Sequence, residues 1–309
     1  MQKEKIIESI DLKKDFGKKQ VLKGVDFTVK RGEIFVLLGS NGAGKSTLCK
    51  ILTTILPFDG GQVRINEHDL LKDGVKVREA ISLTGQFAAV DEMLTGYENM
   101  KMIAALRHVK DKHKVVSDLL KRFDLQIYSQ ELVKNYSGGM RRRLDIAMSF
   151  IGDPQVIFLD EPTTGLDPQN RIATWQLIKE TAISGRTIFL TTQYLEEAEY
   201  LADKVAILHE GKIIVNATPQ MIKSTYDKQK MEINVLTIED FNLLSAHFKR
   251  RLLTKNEEKL SVTVNVGDHF NDSVDLLNEL KRLPIRITNF QQKNASLEDI
   301  FLKLVQGMV

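Results

Sequence analysis

IFVLLGSNGAGKST, residues 34–47, decides the fold of this chain. Residues 34–39, IFVLLG, form a short, continuous apolar run, the pattern of a strand buried on both faces. A glycine-rich turn follows and leads into an apolar stretch of helical character, expected to run from inside residues 44–47 to Pro57. Gly39-x-x-x-x-Gly44-Lys45-Ser46 has the full spacing of a phosphate loop set between a strand and a helix. Glycines let backbone wrap around phosphate without Cβ clashes, and the N–H groups of the loop and helix N-terminus supply a positive field. On this reading Gly39, Ser40, Asn41, Gly42, Ala43 and Gly44 cradle phosphates. Lys45 reaches the β- and γ-phosphates, Ser46 coordinates a divalent cation, and Thr47 contacts the α-phosphate side.

A second motif completes the chemistry. VIFLDEP, residues 156–162, reads as a strand that ends in two adjacent carboxylates. Asp160 is placed to hold the cation through water and Glu161 to polarise an attacking water. Phosphoryl transfer needs positioning and charge neutralisation more than covalent chemistry, so this set is nearly sufficient. Just ahead lies YSGGM (136–140), a polar turn that opens a helical pattern over 137–151.

Around these motifs, residues 5–30 alternate as two antiparallel strands with a turn at 17–19, and 63–66 reads as an edge strand. Residues 95–123 show apolar recurrence near the helical period. Residues 156–160, 187–192 and 204–211 read as strands separated by helical patterns at 168–183 and 195–202. Strands alternating with helices imply a largely parallel α/β sheet. After Thr218-Pro219 the pattern changes to strands at 231–238, 259–266 and 285–291 with helices between and after them. That order fits a separate, small α+β domain. Ser296 and Asp299 have the spacing of a capping box at the start of its last helix.

Composition bounds the function. The 309 residues carry 44 basic and 41 acidic side chains, a balance that gives no support to a nucleic-acid partner. The single cysteine, Cys49, excludes a disulfide framework and reads as a small buried apolar residue on a helix. No apolar run approaches the roughly 18–20 residues that span a bilayer, and the N-terminus lacks the apolar core of a secretory signal. The chain is expected on the cytoplasmic side, and any work at a membrane requires another polypeptide to cross it.

In their order, these motifs resemble those of an ATP-binding cassette ATPase over roughly residues 5–220: Walker A (39–47), a Q-loop at Gln86, the signature YSGGM (136–140), Walker B (156–161), a D-loop GLDP (165–168) and a switch position at 193. The resemblance implies a P-loop α/β cassette with a mixed sheet, an edge antiparallel β-subdomain and a helical subdomain near 90–150. This would occupy residues 1–222, with the α+β accessory domain at 223–309. It further implies ATP and Mg2+, and a head-to-tail homodimer in which Ser137, Gly138 and Gly139 of one copy cover the γ-phosphate held by the other. Gln86 would join the metal site and Asp167 the nucleotide contacts. Phe16 falls where the family stacks an aromatic on adenine, the alternative being a core residue of the edge hairpin. Tyr136 and Met140 stand where the signature commonly has Leu and Gln, and Gln193 stands where most of the family has histidine.

Residues 84–100 and 191–203, with ASLEDIFLKL (295–304), resemble the drug-resistance exporter subfamily typified by the daunorubicin-resistance ATPase. That likeness implies a subunit at the cytoplasmic face of the membrane that powers efflux of a drug, antibiotic or lipid-like cargo through a separately encoded multi-span permease. The alternative is an importer ATPase with a C-terminal regulatory domain, which a neighbouring gene for a solute-binding protein would favour. A soluble cassette acting on ribosomes or DNA is disfavoured, since the chain has one cassette and no long coiled-coil insertion. Phe87, Met93, Leu94 and Tyr97 are candidates for the permease groove, or else for local packing. The run Arg141-Arg142-Arg143 reads best as a solvated helix face.

A glutamine at the switch can hydrogen-bond phosphate but cannot exchange a proton at neutral pH. Gln193→His is therefore expected to raise steady-state ATP turnover; an unchanged rate would remove this position from the chemistry.

Overall fold

A computed structural model describes residues 4–86, 89–183, 185–226, 229–267, 270–293 and 297–307. Two long strands open the chain, β1 (Lys5–Phe16) and β2 (Lys19–Lys30), paired antiparallel across a Gly17-Lys18 turn. The apolar run becomes β3 (Ile34–Leu38), all five residues buried, and leads through the glycine turn into α1 (Lys45–Leu52). The helix stops five residues before Pro57, earlier than the apolar pattern suggests. Thr53 turns its hydroxyl back onto the Cys49 carbonyl at 2.8 Å, and Thr54 takes a left-handed φ of 62°, which ends helical geometry.

Strand β4 (Gly60–Ile65) pairs with β1 on one side and with the two-residue β5 (His68–Asp69) on the other, so it is interior to its sheet and not an edge. A short helix α2 (Gly74–Ala80) then delivers β6 (Ile81–Thr84). The sequence hides β6, because Ser82 and Thr84 interrupt its apolar residues although both are buried. The helical stretch divides into α3 (Gly96–Leu106) and α4 (Lys112–Arg122). Thr95 and Glu98 form a reciprocal capping box at the start of α3, and Asp111 accepts from the Lys114 N–H at the start of α4. Helix α5 (Gly138–Met148) follows, capped by Ser137.

The order then alternates: β7 (Val156–Asp160), α6 (Pro168–Ile183), β8 (Thr187–Thr192), α7 (Leu195–Leu201), β9 (Lys204–His209) and β10 (Lys212–Ala217). Six strands form one sheet in the order β10-β9-β3-β8-β7-β6, parallel except for β10. The four-stranded antiparallel sheet β2-β1-β4-β5 packs onto it through a common apolar core. Its spine is aromatic: Phe35 stacks on Phe27 and on Phe189, each at 5.4 Å, and Phe189 meets Phe158 at 5.3 Å. A second core fills the helical region, drawing Met100, Leu120, Phe123, Leu144 and Ile151 from α3 to α5 and beyond.

Compactness divides the chain into two units, residues 1–219 and 220–309. The second begins within α8 (Pro219–Tyr226) and contains β11 (Gln229–Val235), α9 (Ile238–His247), β12 (Leu252–Asn256), β13 (Ser261–Gly267), α10 (Phe270–Lys281), β14 (Ile287–Lys293) and α11 (Leu297–Gln306). Its sheet is antiparallel throughout, in the order β12-β13-β11-β14, with Phe241, Leu244, Leu276 and Leu280 of two helices in its core. Strand β12 has no apolar alternation, since four of its five residues are exposed, and the sequence reading passes over it. Ser296, one half of the expected capping box, lies outside the described residues.

Phe189 touches three other rings and is fully buried. Phe189→Ala should lower unfolding free energy by about 3–5 kcal/mol, read as a shift in the denaturant midpoint of the first unit.

Candidate active site

The parallel register of β3 and β8 sets Leu38 beside Thr192, and the Gly39 N–H donates to the Thr192 carbonyl at 3.2 Å. The phosphate loop, the carboxylate strand β7 and the switch position thus share one end of the sheet, at the C-terminal ends of its parallel strands. Crevices at that end are where open α/β sheets bind ligands. The loop's own geometry is tightly constrained. A Cβ on Gly39 would stand 2.5 Å from the backbone oxygen of Leu208, and Gly44 holds a φ of 111° while a Cβ there would meet Leu22 at 2.9 Å. Gly42, at φ 82°, faces open space.

A cleft of about 340 Å3 lies over this loop, lined by Val21, by loop residues between Asn41 and Thr47, by Gln86 and by Glu161. Lys45 is buried at its floor. Its Nζ donates to the carbonyls of Gly39 at 2.9 Å and Ser40 at 3.1 Å and lies 3.3 Å from Glu161 Oε1. Glu161 Oε2 accepts from Thr164 Oγ1 at 3.2 Å and from Gln86 Nε2 at 3.5 Å. Asp160 Oδ1 accepts from Thr191 Oγ1 and lies 3.4 Å from Ser46 Oγ. The structure therefore brings together Lys45, Ser46, Gln86, Asp160 and Glu161 from three stretches of chain. Glu161 sits at a left-handed φ of 50°, held there by its N–H donating to the Thr191 carbonyl at 3.0 Å and hydroxyl at 3.1 Å. Such a conformation is unfavourable for a residue with a side chain and persists only where surroundings over-determine it.

Gln193 is half-buried in the bend between β8 and α7, directly after Thr192, whose carbonyl accepts from Gly39. Phe16 lies at the end of β1, 49% exposed with the Lys14 ammonium 5.4 Å from its ring, so it is a surface aromatic and not a core residue. Asp167 caps α6, accepting from the N–H of Asn170 at 3.0 Å and its side-chain amide at 2.5 Å. Those bonds, the backbone one first, hold its carboxyl below the usual range.

The signature is built at the N-terminus of α5. Ser137 Oγ accepts from the Met140 N–H at 3.2 Å. Among the described residues that line the phosphate-loop cleft, none belongs to 137–139. The two glycines differ: a Cβ on Gly139 would collide with Asn170, whereas one on Gly138 would meet nothing. Tyr136 is buried, with its hydroxyl donating to the Tyr128 carbonyl at 2.7 Å, and Gly96 leaves it room. The departure at 136 therefore serves the helical core and not the phosphate face.

The expected solvated face at 141–143 needs correction. Arg141 pairs with Glu92 at 2.6 Å and Arg143 lies toward Asp124 at 3.5 Å, but Arg142 is buried. It donates from Nε to the Pro162 carbonyl at 2.6 Å and from Nη1 to the Gly85 carbonyl and to Asp145 Oδ2, at 2.9 and 3.0 Å. Burial lifts the Asp145 carboxyl to about 6, against the pull of Arg142. Glu197 is also buried, accepting from Thr163 Oγ1 and Trp175 Nε1, both at 2.9 Å; burial raises its carboxyl too. Neither Arg142 nor Glu197 stands out in the sequence, where each sits in a run of like charges. Of the proposed groove residues, Met93 is exposed, Leu94 half-buried, and Tyr97 half-buried with its hydroxyl 2.5 Å from His113 Nδ1. Phe87 lies outside the described residues.

Comparison with known proteins agrees with this geometry. Residues 22–164 match the ABC transporter family, and residues 218–305 match the C-terminal domain of ATP-binding proteins like DrrA1-3. The chain is 37% identical to the daunorubicin/doxorubicin resistance ATP-binding protein DrrA of Streptomyces peucetius, covering 96% of this chain and 92% of that one. It is 32% identical to the Nod factor export ATP-binding protein I of Rhizobium sp. (strain N33), covering 96% of each. A solved ATP-binding subunit of an ABC transporter superposes with a TM-score of 0.64 at 29% identity, covering 72% of this chain and 93% of that one. The chain belongs to the ATP-binding cassette transporter ATPases. Within them it falls in the drug-resistance exporter branch typified by the daunorubicin-resistance ATP-binding proteins, and its chemistry is ATP hydrolysis.

Gly39→Ala should destabilise the protein by about 2–3 kcal/mol, because a backbone oxygen cannot give way. Gly42→Ala should cost only the left-handed backbone term, about 1–2 kcal/mol. Equilibrium urea unfolding of both variants checks the ordering.

Proposed function

We propose that the chain is the ATP-hydrolysing subunit of an exporter, acting as a homodimer bound to a separately encoded multi-span permease at the cytoplasmic face of a membrane. The observation that carries this reading is the split between two sites. Lys45, Ser46, Asp160 and Glu161 converge on one cleft, while the Ser137–Gly139 turn stands at a helix N-terminus outside it. Among the described residues, Gly138 has no intrachain neighbour that demands glycine, which fits a backbone approached from outside the chain. A second copy, arranged head to tail, would bring that N-terminus and its field onto the γ-phosphate. Among the described residues no helix is long and apolar enough to cross a membrane, so transport calls for a membrane-spanning partner. The match to exporter-type ATP-binding proteins over both units supports export as the direction.

In this cleft the loop from Gly39 to Thr47 surrounds the phosphates, and Phe16 offers its exposed ring to adenine. Lys45 exchanges its contacts with the Gly39 and Ser40 carbonyls for the β- and γ-phosphates, which frees the Glu161 carboxylate from its ammonium. Ser46 Oγ and Asp160 Oδ1, 3.4 Å apart, with the Gln86 amide nearby, form the hard oxygen set that suits Mg2+. Mg2+ there would neutralise charge building on the phosphate oxygens. Glu161, aimed by its strained backbone, accepts a proton from the attacking water. Gln193 donates a hydrogen bond to phosphate from the bend after β8, and Asp167 stiffens the turn beside the signature.

Glu161→Gln should keep ATP affinity and lose nearly all turnover, trapping a dimer detectable by size-exclusion chromatography with ATP. Lys45→Ala should instead weaken nucleotide binding, measured by titration calorimetry. Wild-type turnover in Glu161→Gln would overturn the role given to that carboxylate.

A further inference from the structure

The loop that follows Glu161 is held from two sides by buried groups of opposite charge. From α5, Arg142 donates to the Pro162 carbonyl at 2.6 Å. From α7, Glu197 accepts from Thr163 Oγ1 at 2.9 Å. Arg142 also donates to the Gly85 carbonyl at 2.9 Å, one residue before Gln86. Asp145, one turn further along α5, accepts from Arg142 Nη1 at 3.0 Å and from the Ala89 N–H at 3.2 Å. One guanidinium therefore joins the signature helix to both backbone segments that present Gln86 and Glu161 to the cleft.

Stability does not account for this arrangement. A buried ion pair is a weak stabiliser beside an apolar pair of equal volume. Here Arg142 is 5% exposed and its Nη2 is buried without a hydrogen-bond partner among the described residues, which weakens the case further. What the planar fork does supply is geometry: its donors set the separation of two carbonyls that flank the reacting groups.

We propose that Arg142, oriented by Asp145, is a positioning residue for ATP hydrolysis that keeps Glu161 and Gln86 in register with the Ser-Gly-Gly helix of the same chain. This rests on the roles given above to Glu161 and the signature. In the head-to-tail dimer a chain's Glu161 serves one nucleotide and its signature the other. Arg142 thus ties the chemistry at one site to the fit of the signature at the second.

Two variants of the full-length chain test the role. Arg142→Lys keeps a charge facing Asp145 and loses the fork. The double variant Arg142→Met/Asp145→Leu replaces the pair with apolar groups of similar volume. Both are expected to lower kcat by about tenfold to hundredfold while KM for ATP stays within about twofold and Tm is not lowered by the double variant. Wild-type kcat in either folded variant overturns the proposal, as does a rise in KM with kcat unchanged; if one variant does not fold, the other decides. Glu161→Gln run alongside separates the two readings. Full turnover there overturns the role of Glu161 itself, whereas lost turnover there with wild-type turnover in Arg142→Lys overturns the positioning role alone.

Discussion

A buried ammonium governs this structure. Lys45 is 4% exposed, and an unpaired cation at that depth would be prohibitively costly. Two loop carbonyls and the Glu161 carboxylate satisfy it. To reach those partners, the glycine loop must curl back over the helix start, and the end of β7 must lie within a few ångströms of the loop. Parallel pairing of β3 with β8 and of β8 with β7 provides that proximity. The four-ring aromatic spine then locks the sheet against its antiparallel partner, so the distances set by backbone pairing are not free to drift.

Much of this was legible in the residues. The continuous apolar runs at 34–39 and 156–159 supply the fully buried strands Ile34–Leu38 and Val156–Asp160, as such runs require, and the glycine spacing announces the loop between strand and helix. Reading failed where a local signal was overruled by tertiary packing. Ser82 and Thr84 break the apolar pattern of β6, yet lie in the sheet interior beside β7. Thr53 ends α1 through a side-chain bond to its own backbone, an event that apolar periodicity cannot register. Among the described residues strand β12 pairs with β13 alone, and its exposed residues carry no alternation.

The candidate site divides along the same line. Residues whose role follows from spacing, from Gly39 to Thr47 and at 160–161, fall together. Residues whose role follows from burial were hidden by their charge. Arg142 stands between two arginines and Glu197 follows another glutamate, and only the fold distinguishes the inward-facing member from its more exposed neighbours. At Phe16, where the sequence leaves an adenine-stacking aromatic or a core residue of the edge hairpin, burial removes the second: the ring stands at the surface.

The left-handed backbone at Glu161 has one more implication. Only glycine occupies that conformation without penalty, so the substitution that would relax the loop is one that deletes the carboxylate. With the role proposed for that carboxylate, thermodynamic ease and enzymatic competence pull in opposite directions at this single position. Selection for a sturdier protein, left to itself, would drift here toward an inert one.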